Sequence, residues 1–390
     1  MTSLNPFRPT FGASPLFWAG RSVVLDSFRA GIAGGAGDPH RAMIISGHRG
    51  MGKTVLLTEL EDIAATEGWV TLRTSGRAHS VQELIESVIP AKIRELSPPN
   101  SRTLTGFRVA GVGLNTELVD NSTAPKPTLE SQLRELLGHL KKAGILITID
   151  EIQDADPEDM TTVAVAFQNL IRDGADIAIV MAGLTPGIDS LLNLPGTTFL
   201  RRAQRYHLGP LSPDSALEAL EATAADSGIN FGPGAALEAA RLAQGYPYLV
   251  QLVGFLAWRH SANRHADTPT SAVISTADVK AISAEAIAQM GHQVHSPALR
   301  PLPPRQMEYV RALAALEAKA GDDSHESTPI EIAAGDIADH LNRATTSLSE
   351  VRSRLITKGI IDSPRWGYVC FPLPYMGQYL NSSGGPQIVN

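Results

Sequence analysis

Gly47-His48-Arg49-Gly50-Met51-Gly52-Lys53-Thr54 follows the spacing G-x-x-x-x-G-K-[ST], and its flanks give the spacing meaning. Ala42-Met43-Ile44-Ile45 before it is an apolar run suited to a strand, and Val55-Leu56-Leu57-Thr58-Glu59-Leu60 after it reads as a helix. Glycines at 47, 50 and 52 let the backbone turn its N–H groups toward phosphate oxygens, with main-chain groups of His48, Arg49 and Met51 completing the cradle. A helix starting just after Gly52 adds the positive end of its dipole. Lys53 is then expected to reach the β- and γ-phosphates of ATP, and the Thr54 hydroxyl to hold Mg²⁺.

A second stretch supports the first. Ile145-Leu146-Ile147-Thr148-Ile149 has the β-branched apolar character of a parallel strand covered on both faces, and it ends in Asp150-Glu151. Adjacent carboxylates at the carboxyl end of such a strand lie where ligands bind in open α/β sheets. Asp150 is expected to position Mg²⁺ and Glu151 to orient and polarise the attacking water.

The rest of the chain bounds this reading. A length of 390 residues predicts two or three domains, and the net charge of −7 argues against a nucleic-acid binder over the whole surface. No apolar run of about 18 residues and no charged-then-apolar leader is seen, so no membrane contact and a cytoplasmic location are expected. The single cysteine, Cys370, fits a reducing compartment and reads as a buried strand residue in Tyr368-Val369-Cys370-Phe371.

In order, residues 1–40 read as an N-terminal arm and adenine-side segment, and 41–210 as the phosphate-loop core. The core carries strands at Trp69–Leu72, Ile145–Ile149, Ile177–Ala182 and Tyr206–Leu208, and a helix from Ser80, capped by Ser80 with Glu83, to Leu96. An inserted ribbon is expected at Val109–Leu118, where apolar residues alternate. Thr185 is the first polar side chain after the fourth strand and is a candidate to sense the γ-phosphate. Arg201, Arg202 and Arg205 read either as solvated residues or as a source for an arginine finger reaching a neighbouring subunit. Residues 211–292 read as an all-helical lid, and His292 to Pro304, with four prolines, as a linker. Residues 305–381 read as a winged helix-turn-helix, followed by a flexible tail at 382–390. Its second helix and wing carry Arg343, Arg352, Arg354, Lys358 and Arg365, a set that fits double-stranded DNA. Glu331, Asp336, Asp339, Glu350 and Asp362 balance those charges, which leaves docking onto the core or onto a protein partner open.

With these residues in view, the chain resembles AAA+ P-loop ATPases, close to the origin-recognition and replication-initiator type and to the archaeal-type ATPases related to STAND regulators. The resemblance rests on Gly47 to Thr54 as Walker A, Ile145 to Glu151 as Walker B, and the order of core, lid and winged helix. It implies an α/β P-loop NTPase sheet with helices on both faces, ATP and Mg²⁺ as cofactors, and a capacity for homo-oligomers. It places Asn5-Pro6-Phe7 and Arg21 on the adenine side, Thr185 near the sensor 1 position and Arg202 near the arginine finger. Gly245-Tyr246-Pro247-Tyr248 resembles the Gly-x-Pro motif of the STAND-type and archaeal relatives, with Pro247 at the nucleotide, where initiators carry a lid arginine. Tyr248 supplies no cation and no asparagine stands at sensor 1, so slow hydrolysis with the nucleotide acting as a conformational switch is expected.

Overall fold

A computed structural model of the chain describes residues 4–10, 12–97, 126–140, 143–193, 198–225, 228–264, 273–321 and 329–382. The expected ribbon at 109–118 and nearly all of the expected tail lie outside the described residues. Five parallel strands form the central sheet: β1 (Ala42–Gly47), β2 (Val70–Ser75), β3 (Ile145–Asp150), β4 (Ile177–Gly183) and β5 (Gln204–Leu208), in the order β2-β3-β4-β1-β5. Each expected strand is present, most of them running one to three residues further than the apolar run alone suggests.

The apolar runs are explained by burial on two sides. Along β1, β3 and β4 alternate residues enter different cores: Met43, Ile45, Leu146, Ala178 and Val180 one, Ile44, Ile145, Ile147, Ile179 and Met181 the other. The first face is covered by α1 (Ser22–Ala33) and α2 (Lys53–Thr66). The second is covered by α3 (Ser80 to Leu96), α4 (Leu129–His139), α5 (Pro157–Arg172) and α6 (Thr185–Leu192). Each fully buried Leu, Ile or Val stabilises the fold by about 1.5–3 kcal/mol, so the sheet centre is the least deformable part of the molecule. Thr148, the one polar residue inside β3, donates at 2.5 Å to buried Glu61 of α2. Thr54, two turns earlier on the same helix, donates to Asp150 at the end of β3. The two bonds lie on one helix face and fix α2, and with it the phosphate loop, against β3.

Helix α3 departs from the expected cap. His79, at φ 66°, precedes it, Ser80 makes no side-chain cap, and the helix passes through a π turn at Leu84–Val88. The turn at His79 already aims the chain into the helix, with Glu83 N–H donating to the His79 carbonyl.

The lid holds α7 (Pro213–Ala225), α8 (Ala235–Ala243), α9 (Pro247–Arg264) and α10 (Thr276–Met290). Two residues each of β6 (Asn230–Phe231) and β7 (Val273–Ile274) pair in parallel between them, where helices alone were expected. The proline-rich stretch after Met290 is also not an extended linker. It continues as a π turn at Gly291–His295 and a helical turn at Ser296–Leu299. Pro297 has no N–H to donate, and the π turn just before it shifts the bonding so that Ser296 N–H reaches the Gly291 carbonyl.

The C-terminal unit runs α11 (Pro304–Ala320), β8 (Ile332–Ala333), α12 (Ala334–His340), a tight turn, α13 (Ser349–Thr357), β9 (Tyr368–Val369) and α14 (Met376–Asn381). β8 and β9 are antiparallel, and Asp362 bridges Cys370 across the hairpin. The unit thus places three helices before a short hairpin and adds one helix, Met376–Asn381, after it. Cys370 is buried there, and burial, reinforced by Asp362, Glu331 and Glu317, pushes its thiol up to about 12. Among the described residues no helix is long and apolar enough to cross a membrane.

Candidate functional site

β4 lies between β1 and β3, with Ser46 level with Gly183 and Ile149 level with Met181. The phosphate loop, the start of α6 and the acidic pair therefore line up along the carboxyl end of the sheet, each about one strand spacing of 4.8 Å from the next. This brings together Lys53, Thr54, Asp150, Glu151 and Thr185 from three separate parts of the sequence.

Within the loop, Gly50 and Gly52 sit at φ 74° and 84°, conformations that L side chains rarely adopt. Lys53 is buried, and its Nζ donates to the carbonyls of Gly47 and His48, each at 3.0 Å. Burial and the neighbouring Arg49 pull the Lys53 pKa down, while Glu151 and Asp150 push it back up. The ammonium is thus held by two main-chain oxygens that phosphate oxygens can replace. Thr54 Oγ1 donates to Asp150 Oδ2 at 2.6 Å, and Glu151 N–H donates to Asp150 Oδ1 at 2.8 Å. One hydroxyl and one carboxylate beside a phosphate cradle are the hard-oxygen donors Mg²⁺ takes when phosphates and water complete its shell, so the residues fit that ion.

Glu151 is exposed, at φ 52°, and heads a short turn at Ile152–Asp154. Gln153 of that turn donates to Glu151 Oε2 at 2.5 Å and accepts Leu184 N–H at 2.9 Å. Thr185, the first residue of α6, stands next to that bond; its hydroxyl is buried and has no hydrogen-bond partner among the described residues. Arg202 is exposed in a turn before β5, an edge strand, on the side of the sheet away from the acidic pair. Arg21 donates to the Gly209 carbonyl at 2.8 Å, and burial lowers its pKa. The arm segment Asn5-Pro6-Phe7 packs on the lid: Asn5 donates to the Phe255 carbonyl, and the Phe7 ring fills the space a Cβ on Gly254 would need.

Three side chains not expected from sequence crowd the loop. Tyr246, buried, places its hydroxyl 3.4 Å from the Arg49 carbonyl, in the space a Cβ on Gly50 would occupy. Pro247 starts α9 beside it, and Tyr248 turns away to donate to Gln293 at 2.5 Å. His207 of β5 lies 3.1 Å from Ser46 Oγ, its pKa lowered by burial and by His48. Asp362 of the C-terminal hairpin lies 3.3 Å from His48 Nε2; the His48 contact holds its carboxyl below the usual range, against the effect of burial. The only sequence signal for these residues is Tyr246 inside the Gly-x-Pro motif. The other contacts cross more than 150 residues of chain.

Residues 18–180 match a family model described as AAA ATPase domain, and residues 292–380 match one described as a domain of unknown function (DUF8462). A comparison with curated proteins gives no match. Among solved structures, the ORC2 protein of Aeropyrum pernix in its ADPNP–ADP complexes is similar at 15% identity and a TM-score of 0.60, over 95% of this chain and 96% of that one. The Walker-type ATPase of Pyrococcus abyssi is similar at 15% identity and a TM-score of 0.59, over 93% and 96%. At such identity the likeness is one of fold. Residues 18–180 thus match an AAA ATPase domain, and the chain has the P-loop fold that these archaeal proteins share.

Proposed function

We propose that this AAA ATPase domain binds and slowly hydrolyses ATP, and that the bound nucleotide acts as a switch setting the position of the C-terminal winged helix. The observation that supports this most is the pair of contacts made on the phosphate loop itself. Tyr246 of the lid rests on Arg49 and Gly50, and Asp362 of the C-terminal unit rests on His48. Phosphates entering the loop bring negative charge beside the Asp362 carboxylate and compete for the groups that now hold both units. A ligand shifts such an equilibrium only through unequal contacts with the two states, and this geometry supplies the inequality.

In the proposed reaction the loop N–H groups and Lys53 hold the β- and γ-phosphates, giving up the Gly47 and His48 carbonyls. Thr54 and Asp150 would hold Mg²⁺, which would supply charge to offset that of the phosphates. Glu151 accepts a proton from water as the water oxygen bonds to the γ-phosphorus; the bond from that phosphorus to the bridging oxygen breaks, leaving ADP and phosphate. The lid motif Gly245 to Tyr248 offers no cation to the transferring group, and Tyr248 is turned toward Gln293, which supports slow turnover.

A second reading, a DNA-binding initiator or regulator, is favoured by Trp366, which is 98% exposed at the hairpin tip next to Arg365. One experiment separates these outcomes: ATP hydrolysis with Mg²⁺, with and without duplex DNA, and with Lys53→Ala as the blank. Glu151→Gln is expected to keep ATP binding and lose about 10²–10⁴-fold in turnover. Unchanged hydrolysis in that variant removes Glu151 from its role. Stimulation by DNA favours the second reading, and a low rate indifferent to DNA favours a switch that awaits a protein partner.

A further inference from the structure

The arginines around the cleft are mostly engaged. On α9 Arg259 lies 2.8 Å from Glu285 and Arg264 2.7 Å from Asp278. Arg21 donates to the Gly209 carbonyl, and Arg201 to the Leu192 carbonyl. Arg49 differs from all of these. It is exposed within the phosphate loop, and its guanidinium makes no hydrogen bond or ion pair among the described residues. Its main chain is nonetheless held. Met51 N–H donates to the His48 carbonyl at 3.4 Å, which puts Arg49 and Gly50 at the corner of a turn, Gly50 at φ 74°. The Tyr246 hydroxyl lies 3.4 Å from the Arg49 carbonyl, and His48 lies 3.3 Å from Asp362. The guanidinium is also close enough to Lys53 to help lower that residue's pKa. A fixed backbone thus carries a free cation beside the one that is expected at the phosphates.

We propose that the Arg49 side chain is a catalytic residue that donates to the γ-phosphoryl oxygens of the nucleotide bound in its own loop, in place of a lid arginine. The proposal rests on the reading of this site as an ATPase. Phosphoryl transfer spreads negative charge over three equatorial oxygens, and an arginine supplied within the same chain can stabilise it. A guanidinium suits that task because its planar fork meets two oxygens at once and keeps its protons. Arg49 therefore takes no part in the exchange of bonds. It only holds charge that ATP carries and ADP does not. The turnover that remains without a lid cation then depends on this residue.

Arg49→Ala should lower kcat by about 10²–10³-fold, the loss seen when one preorganised donor is removed from a transition state. A readout apart from activity is the ratio of affinities for the imido analogue of ATP and for ADP, each titrated by calorimetry with Mg²⁺. That ratio should fall by about 10–100-fold, on the order of one hydrogen bond to a charged group, while ADP affinity and the thermal midpoint stay close to the parent's. Equal losses for both nucleotides would mean general attraction of anions and overturn the proposal, as would an unchanged kcat. Mixing Arg49→Ala chains with Glu151→Gln chains tests whether the cation acts in its own chain. No recovery of turnover is expected, and recovery overturns the proposal by placing the guanidinium in a neighbour's site. Lys53→Ala and Glu151→Gln are the controls: if they bind and turn over ATP as the parent does, the ATPase reading fails. If they behave as expected while Arg49→Ala matches the parent, the role of Arg49 alone fails.

Discussion

The phosphate loop and the basic face of the C-terminal unit both present cations near an anion-sized surface, yet they differ in what those cations already hold. Lys53 is buried and bonded only to two carbonyls, neutral acceptors that a phosphate outcompetes. On the C-terminal unit Arg343 lies 2.9 Å from Glu308, Arg354 2.5 Å from Glu350 and Arg365 2.5 Å from Glu331, and Lys358 donates to Gln306 at 2.9 Å. Of the five cations expected at DNA, only Arg352 has neither an ion pair nor a side-chain hydrogen bond among the described residues. The difference teaches that a count of arginines measures an anion site poorly. Donors held in place and not yet neutralised measure it better, and the core has those where the C-terminal face does not.

The largest effect should come from removing the core's buried cation. Lys53→Ala is expected to cost about 2–5 kcal/mol of ATP binding, the range for truncating one partner of a buried charge pair. Calorimetric titration with ATP and Mg²⁺ checks it. An affinity within a few-fold of the parent would show that Lys53 is not a principal phosphate donor.

That contrast also marks how far the sequence could be read. The phosphate loop is set by local chemistry: glycine for φ values other residues avoid, Lys53 and Thr54 at the helix start, and apolar strands before it and before Asp150. Each of these is visible in a window of ten residues, and the alternation of β1, β3 and β4 between two cores follows from runs too apolar for one-sided burial. Asp362 on His48, Gln153 on Leu184 and Tyr246 on Gly50 are contacts across 314, 31 and 196 positions, and no spacing rule reaches them. The proline-rich stretch misled for a related reason. Prolines announce breaks in a helix, but a π turn at Gly291–His295 absorbs the missing donor of Pro297 and lets the helix continue. The pairing of Arg343 and Arg365 is likewise hidden from a local window, because their partners, Glu308 and Glu331, lie on other elements.

Next in size is a change where the lid meets the loop. Gly50→Ala puts a side chain at φ 74°, costing about 1–2 kcal/mol, and displaces the Tyr246 hydroxyl as well. A lower thermal midpoint and weaker ATP binding are expected, and Tyr246→Ala in the same chain should recover the part due to collision. No recovery would mean that the lid does not rest on the loop in solution. A smaller effect concerns Asp362, which joins the C-terminal unit to the phosphate loop. Its folded pKa lies below its unfolded value of about 3.9, so the stabilisation from the His48 contact is complete above that pH and is lost as pH falls through the folded value. At 41% exposure of Asp362 the contact contributes at most about 1 kcal/mol. Scattering or a fluorescence distance between core and C-terminal unit should report looser docking as pH falls below the ordinary carboxylate range, and in Asp362→Asn at neutral pH. Identical distances in the variant and the parent would show that the contact does not hold the unit.

The smallest expected change in stability carries the sharpest test of the basic face. Glu350→Gln with Glu331→Gln frees Arg354 and Arg365 and should alter stability by less than about 1 kcal/mol, because both pairs are largely exposed. If neutralisation is what keeps this face off nucleic acid, the double variant should bind duplex DNA more tightly than the parent. The slope of log K against log salt should then steepen by up to about 1.8, near 0.9 for each phosphate newly contacted. If the parent already binds DNA with a steep slope and the double variant adds nothing, the arginines exchange carboxylates for phosphates without cost. The C-terminal face would then be as ready for its anion as the phosphate loop is, held by partners that yield just as the Gly47 and His48 carbonyls yield Lys53.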